Sequence, residues 1–259
     1  MKLFYSLQAG ISAETFKYQS TFLWWFILLA PAFIPLINLF AFVRRGDEIL
    51  ERGGTAWGLL LQYSNAPAFL LFPFFVFIVA LYVNQIEWSS NTWKLIYTQP
   101  LDRLTVFFSK WIFFVALLFI SLMLFAGFLF LAGKITHMFR PELGFDEPFD
   151  LVVHFGQGFR MFLATLGFAA IQFYLSQKTK NIMLPLGIGI AGIISYLIVV
   201  KGWEYAGYHP YGFHDMVGGF NNLARTMLVE NITPIYRSLV LCFILVGIAA
   251  VDVSQKRIL

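Results

Sequence analysis

Trp111-Ile-Phe-Phe-Val-Ala-Leu-Leu-Phe-Ile-Ser-Leu-Met-Leu-Phe-Ala-Gly-Phe-Leu-Phe-Leu-Ala132 runs for 22 residues without a charge. At about 1.5 Å of rise per residue this is roughly 33 Å of helix, enough to cross a hydrocarbon core about 30 Å thick. The composition leaves no soluble alternative for it. The chain of 259 residues is 59% hydrophobic and 12% charged, with a mean hydropathy of +0.74. Soluble domains average about 25% charged residues, and half of that cannot cover a water-facing globule. Working outward from residues 111–132, the same reading predicts an all-α membrane protein with six transmembrane helices in a single transmembrane domain over 1–259. The spans fall at about 21–43, 66–83, 111–132, 155–175, 182–200 and 234–253. Four of them carry no charge; the fourth takes in Arg160 and the sixth Arg237, each read as lying near one end, where a long cationic side chain can snorkel.

Ahead of the first span, Leu3, Phe4, Leu7 and Ile11 fall on one helical face. This pattern predicts an interfacial helix over about 3–17, with Glu14 and Lys17 on it, rather than a cleaved signal. Six spans put both termini on one side. The 18 Lys and Arg residues divide evenly between the two sides, and their higher density on the shorter, termini-bearing side favours cytoplasmic termini.

Several motifs resemble chemistry without supporting it. Gly187-Ile-Gly189-Ile-Ala-Gly192 satisfies GxGxxG, but it lies inside an uncharged span with no strand before it, so its glycines read as helix-packing positions. Gly133-Lys134 lacks the remaining residues of a phosphate loop. His137, His154, His209 and His214 follow no zinc spacing, and Glu142, Asp146, Glu147 and Asp150 read as a solvated loop. Cys242 stands alone, so neither a disulfide framework nor a CxxC motif exists within these residues. No catalytic site and no metal site is predicted, and a net charge of +4 scattered along the chain gives no argument for nucleic acid.

The segment with the most information joins the second and third spans: Gln85-Ile-Glu87-Trp-Ser-Ser-Asn91-Thr92-Trp93-Lys94-Leu-Ile-Tyr-Thr-Gln-Pro100-Leu-Asp-Arg103, continuing to Lys110. It reads as a short amphipathic helix beyond a membrane exit, a proline that ends it, and a helix that re-enters the bilayer. Its residues Glu87, Asn91, Thr92, Trp93, Lys94, Pro100, Arg103 and Lys110 follow a pattern E-x-x-x-N-T-W-K-x-L-x-x-x-P-x-x-R-x-x-x-x-x-x-K, departing from it at Ile96. Upstream, Ala13-Glu14, Lys17, Trp24 or Trp25 and Leu29-Ala30-Pro31 follow A-E-x-x-K…W…L-A-P. On these residues the chain resembles the membrane subunits of ABC-2-type exporters, in particular the branch linked to lantibiotic and bacitracin-like peptide export and self-immunity. The two motifs cover the first 110 residues; beyond them the likeness rests on span number and hydropathy.

The resemblance implies a permease in the bacterial cytoplasmic membrane, multi-pass, with both termini cytoplasmic. It implies a cytoplasmic ABC ATPase dimer as partner, which carries the ATP and Mg, leaving no cofactor in this chain. It also implies a second permease chain, identical or related. The coupling region, about 84–110, would dock in the ATPase. The outer loop, about 201–233, would supply short helices beside an outer gate, with Tyr208 and Tyr211 and the arginines Arg160, Arg225 and Arg237 placed to meet substrate or membrane lipid. The function expected is ATP-driven export of a hydrophobic or amphipathic substrate (a peptide antibiotic, drug or lipid-like molecule). The alternatives are peptide-antibiotic immunity, the driving of an envelope machine without net export, and, from another class, a polytopic lipid-modifying enzyme. Replacing Trp93 with Ala should weaken capture of the ATPase: the expected result is reduced co-purification and ATPase rate, and unchanged values of both would count against docking at this segment.

Overall fold

The computed structural model describes residues 2–89, 102–218 and 232–255, and among these every regular element is helical. The order is α1 (Lys2–Tyr18), α2 (Leu23–Leu50), α3 (Ala56–Ser89), α4 (Arg103–Phe139), α5 (Leu151–Lys178), α6 (Met183–Val199), α7 (Phe213–Gly218) and α8 (Thr233–Gln255), with short 3-10 turns at Pro141–Leu143, Glu204–Tyr208 and Pro210–Gly212. Five helices, α2, α3, α4, α5 and α8, are long and apolar enough to cross a membrane; α6 is apolar but shorter, at 17 residues. Residues 90–101, which include most of the coupling region, and 219–231, which include Arg225, lie outside the described residues.

Helix lengths depart from the expected spans in a consistent direction. With 28, 34 and 37 residues, α2, α3 and α4 reach roughly 42, 51 and 55 Å, well past a core of about 30 Å. Helix α3 begins ten residues before the expected 66–83 span, because Gln62, Tyr63, Ser64 and Asn65 lower the hydropathy without breaking the helix. Its first turns are held by burial: Ala56, Trp57, Leu59 and Leu60 pack with Phe42, Leu143 and Phe145 in a core of their own. The Trp57 ring meets Phe145 edge-on at 5.1 Å and Phe149 at 4.2 Å. Arg140 fastens this end by donating to the Val43 carbonyl at 3.1 Å and pairing with Asp47 at 2.7 Å. This end of the bundle is termed distal; the end bearing α1 is proximal. Helix α5 likewise starts before the expected 155, which puts Arg160 nine residues inside the helix rather than near its end.

The main core joins all the long helices around Phe77, Phe114, Phe168 and Phe173. Prolines inside α2 and α3 remove backbone donors, and the bundle answers one of these losses directly. Pro73 cannot bond the carbonyl four residues earlier, that of Phe69, and His214 of α7 donates its Nε2 proton to that oxygen at 3.3 Å. At the α5–α8 crossing the Ser238 hydroxyl enters the backbone ladder of α5, donating to Leu163 O (3.0 Å) and accepting from Gly167 N (2.8 Å). Two of the GxGxxG glycines serve packing, Gly189 against Phe77 and Gln172 and Gly192 against the Tyr211 ring, whereas a Cβ at Gly187 would meet open space.

A Cβ at Gly167 would lie 3.0 Å from the backbone oxygen of Ser238, an atom that cannot swing aside. Gly167→Val should therefore lower stability by about 1–3 kcal/mol through overpacking. Gly127→Ala, in helical backbone with open space around its Cβ position, should be neutral or stabilising by up to about 1 kcal/mol. Thermal unfolding of the detergent-solubilised variants checks both; equal effects would contradict the packing described.

Candidate functional site

At the proximal end three helices meet through charged side chains in an otherwise apolar setting. Helix α1 presents Glu14 and Lys17 one turn apart, so both face the same neighbours. The Lys17 ammonium lies 2.6 Å from Glu14 and 2.8 Å from Glu87 of α3. Lys110 of α4 pairs with the same Glu87 oxygen from the other side. Glu14 and Lys110 are 5% and 3% exposed, while the Glu87 and Lys17 side chains are 16% and 26% exposed, so the cluster is largely interior with Lys17 at its edge. Two hydrogen bonds reinforce it at one point of α3: the Tyr18 hydroxyl donates to Val83 O at 2.8 Å and Lys110 Nζ to the same oxygen at 3.4 Å. Close approach of α1 to α4 is permitted by Gly10, whose Cβ position Ser109 already fills.

The four charges sum to zero, which removing them from water requires. Burial works against the Lys17 charge, but Glu87 and then Glu14 outweigh it and its pKa is raised. The stabilisation it brings is therefore fully present below the ordinary 10.5 and is lost only as pH rises through the raised value, so the Lys17 ion pairs do not lose the lysine's charge at neutral pH.

From this cluster polar contacts continue sideways. Asn84 donates to Ser176 Oγ (2.9 Å) and Gln85 to Thr179 O (2.8 Å), tying α3 to α5. Asp252 of α8 accepts from the Tyr174 hydroxyl at 3.1 Å and pairs with Lys178 at 2.9 Å on α5; the ion pair with Lys178 is exposed and adds little. The structure thus brings together Glu14, Lys17, Glu87 and Lys110. Arg103 opens α4, while Asn91, Thr92, Trp93, Lys94 and Pro100 lie outside the described residues. Tyr18, Asn84 and Ser176 belong to the same system and have no motif that would mark them: each is a polar residue in an apolar run, a signal shared with many core residues.

The distal loop is partly internal. Tyr211 is buried and accepts a hydrogen bond from Gln172 at 2.8 Å, and the Tyr196 hydroxyl donates to Asp215 at 2.6 Å. Arg237 stacks over the Tyr208 ring at 3.8 Å and donates to Gly207 O, so its guanidinium is engaged by the loop itself. Ser195 Oγ lies 3.0 Å from His209 Nε2 and 2.9 Å from Gly192 O. With His209 Nδ1 lacking a partner among the described residues and Asp215 held by Tyr196, no nucleophile–base–acid relay is assembled here. No three His, Cys, Asp or Glu side chains converge among the described residues.

A family model described as ABC-2 family transporter protein matches residues 10–196. No curated protein and no solved structure matches the chain.

Removing Glu87 would strand the buried Lys110 ammonium and leave Lys17 with Glu14 alone. Glu87→Gln should cost about 3–5 kcal/mol and lower the unfolding temperature. The double variant Glu87→Leu with Lys110→Met, which leaves Lys17 paired to Glu14, should recover most of that loss. Thermal unfolding of the two variants measures both; a double variant no more stable than Glu87→Gln would refute the burial argument.

Proposed function

Because the chain belongs to the ABC-2 transporter family, whose members are membrane subunits of ABC transporters, we propose that it is the permease of an ATP-driven exporter. In this reading its cargo is hydrophobic or amphipathic, of the peptide-antibiotic, drug or lipid-like kind. Six spans cross the cytoplasmic membrane with both termini inside, α6 being the shortest at roughly 26 Å. The distal aromatic loop then faces outward, and Tyr208, Tyr211, Arg160, Arg225 and Arg237 stand on the side where cargo or lipid leaves. A second permease chain, identical or related, completes the membrane unit.

One observation carries this reading. The buried ion cluster clamps both flanks of residues 90–101: Glu87 lies just before the segment, and Lys110 follows it by three turns of α4 or less. A push on that segment reaches α1, α3 and α4 together, because Glu87 cannot move away from either lysine without exposing a buried charge. ATP and Mg act on the partner ATPase; closure of its dimer against residues 90–101 would tip the bundle between inward- and outward-open states as a rigid-body change. Glu87, Lys110, Glu14 and Lys17 are positioning residues in this scheme, and Asn91 to Lys94 supply the contact with the ATPase.

Purification of the chain with its ATPase, followed by a screen of peptides, drugs and lipids for stimulation of ATP hydrolysis, tests the proposal. A stimulating compound should be apolar or amphipathic. Failure of any ATPase to co-purify under mild detergent would overturn the reading at its first step.

A further inference from the structure

Arg237, in the first turns of α8, has no carboxylate partner among the described residues. Its guanidinium lies over the Tyr208 ring at 3.8 Å and donates through Nη1 to Gly207 O. Stacking uses the face of the guanidinium plane and leaves its Nε–Nη2 edge free, an edge that suits bidentate contact with a phosphate. The residue is half-buried. Along α8 it stands roughly 22 Å from Asp252, whose exposed pair with Lys178 marks the proximal surface. A hydrocarbon core is about 30 Å thick, so the charge lies at the inner edge of the distal surface and calls for an anion brought to it. Tyr208 also belongs to an open bowl of about 470 Å³, formed with Trp203, Tyr205, His209 and Pro210. Trp203 and Tyr205 meet edge-on at 5.7 Å, Tyr205 and Tyr208 lie 6.5 Å apart, and all three are more than half exposed. Aromatic rings so grouped attract an organic cation, and Glu204, exposed in the same turn, adds a negative charge. His209 lies 3.0 Å from Ser195, which sets the bowl beside the last turns of α6, where Ile194 and Ile198 are exposed.

We infer that Arg237 and the aromatic bowl together bind the headgroup of a zwitterionic phospholipid, its phosphate on the free edge of Arg237 and its ammonium among Trp203, Tyr205 and Tyr208. Charge complementarity selects this ligand. A cation without a carboxylate and a cluster of aromatic faces share one tyrosine, just as phosphate and ammonium sit two carbons apart in an ethanolamine or choline headgroup. An anionic phosphoglycerol headgroup would meet Arg237 and leave the bowl unused, and diacylglycerol would use neither. The exposed aliphatic side chains of α6 at the same height offer a surface to acyl chains, which a soluble phosphoester lacks. The inference makes specific the lipid contact at Tyr208 and Arg237 in the proposed function. Its test needs no ATPase, so the two readings stand or fall separately.

Native mass spectrometry of the full chain tests it, with one equivalent each of phosphatidylethanolamine, phosphatidylglycerol and diacylglycerol of matched acyl chains. Phosphatidylethanolamine should be retained about threefold over phosphatidylglycerol, as an exposed cation–π contact provides, and both should exceed diacylglycerol. Arg237→Gln should lower retention of both phospholipids about tenfold, as loss of a charge-assisted hydrogen bond does. Trp203→Leu combined with Tyr205→Leu, at two exposed positions, should bring phosphatidylethanolamine down to the phosphatidylglycerol level and leave phosphatidylglycerol unchanged. Phosphoethanolamine without acyl chains, at equal concentration, should not compete. Retention of phosphatidylglycerol equal to or above phosphatidylethanolamine by the unaltered chain would overturn the inference, even if Arg237→Gln fails to fold. Equal loss of both phospholipids in the Trp203 and Tyr205 double variant, or competition by free phosphoethanolamine, would overturn it too.

Discussion

The carboxylate of Glu87, held between the ammonium groups of Lys17 and Lys110, is the interaction on which the proximal half of the molecule depends. In a chain with so few charges, four of them share one buried site and sum to zero. A buried pair contributes little net stability compared with well-packed apolar residues, but breaking one is severe. Such an arrangement fixes geometry more than it adds free energy. What it fixes here is the relation among α1, the end of α3 and the start of α4, reinforced by Tyr18 and Lys110 at a single backbone oxygen of Val83. In the proposed function, this is where force delivered between α3 and α4 would be spread to the rest of the bundle.

The distal half follows a different rule. There the helices are longer than a bilayer core requires, and their ends are held by an aromatic core around Trp57 and Phe145 together with the exposed Arg140–Asp47 pair. The loop after α6 supports the backbone it covers: His214 donates to the Phe69 carbonyl, to which Pro73 has no N–H to give. A proline break filled by a side chain from another element binds the loop to α3, so a bend at Pro73 and a displacement of α7 are linked. Arg237 stacked on Tyr208 makes a second link, from the loop to α8.

The sequence made the helices legible because a membrane enforces long apolar runs. It misplaced those boundaries where physics other than hydropathy decides them. Residues Gln62 to Asn65 look like a gap between helices but lie inside α3, since the turns before them are anchored by Trp57. Arg160 looks like an end marker but lies well within α5. Glu14, Lys17, Glu87 and Lys110 were each recognisable from two motifs, yet nothing in the motifs links position 17 to position 87. That pairing is a tertiary fact, set by the close packing of α1 on α4 at Gly10 and the Tyr18 bond to Val83 of α3. Tyr18, Asn84 and His214 were illegible for the same reason: their partners are backbone oxygens or hydroxyls far away in the chain.

The central claim is that α1 and the helices flanking residues 90–101 move as one body. Spin labels at Ala13, on the exposed side of α1, and at Asp102, at the start of α4, measure it by pulsed dipolar spectroscopy once Cys242, the sole cysteine, has been replaced by Ser. In the complex with its ATPase, the distance distribution should have the same centre and width with and without ATP. A shift or a second population on adding ATP, with Glu87 intact, would show that the cluster yields during the cycle and would contradict the account.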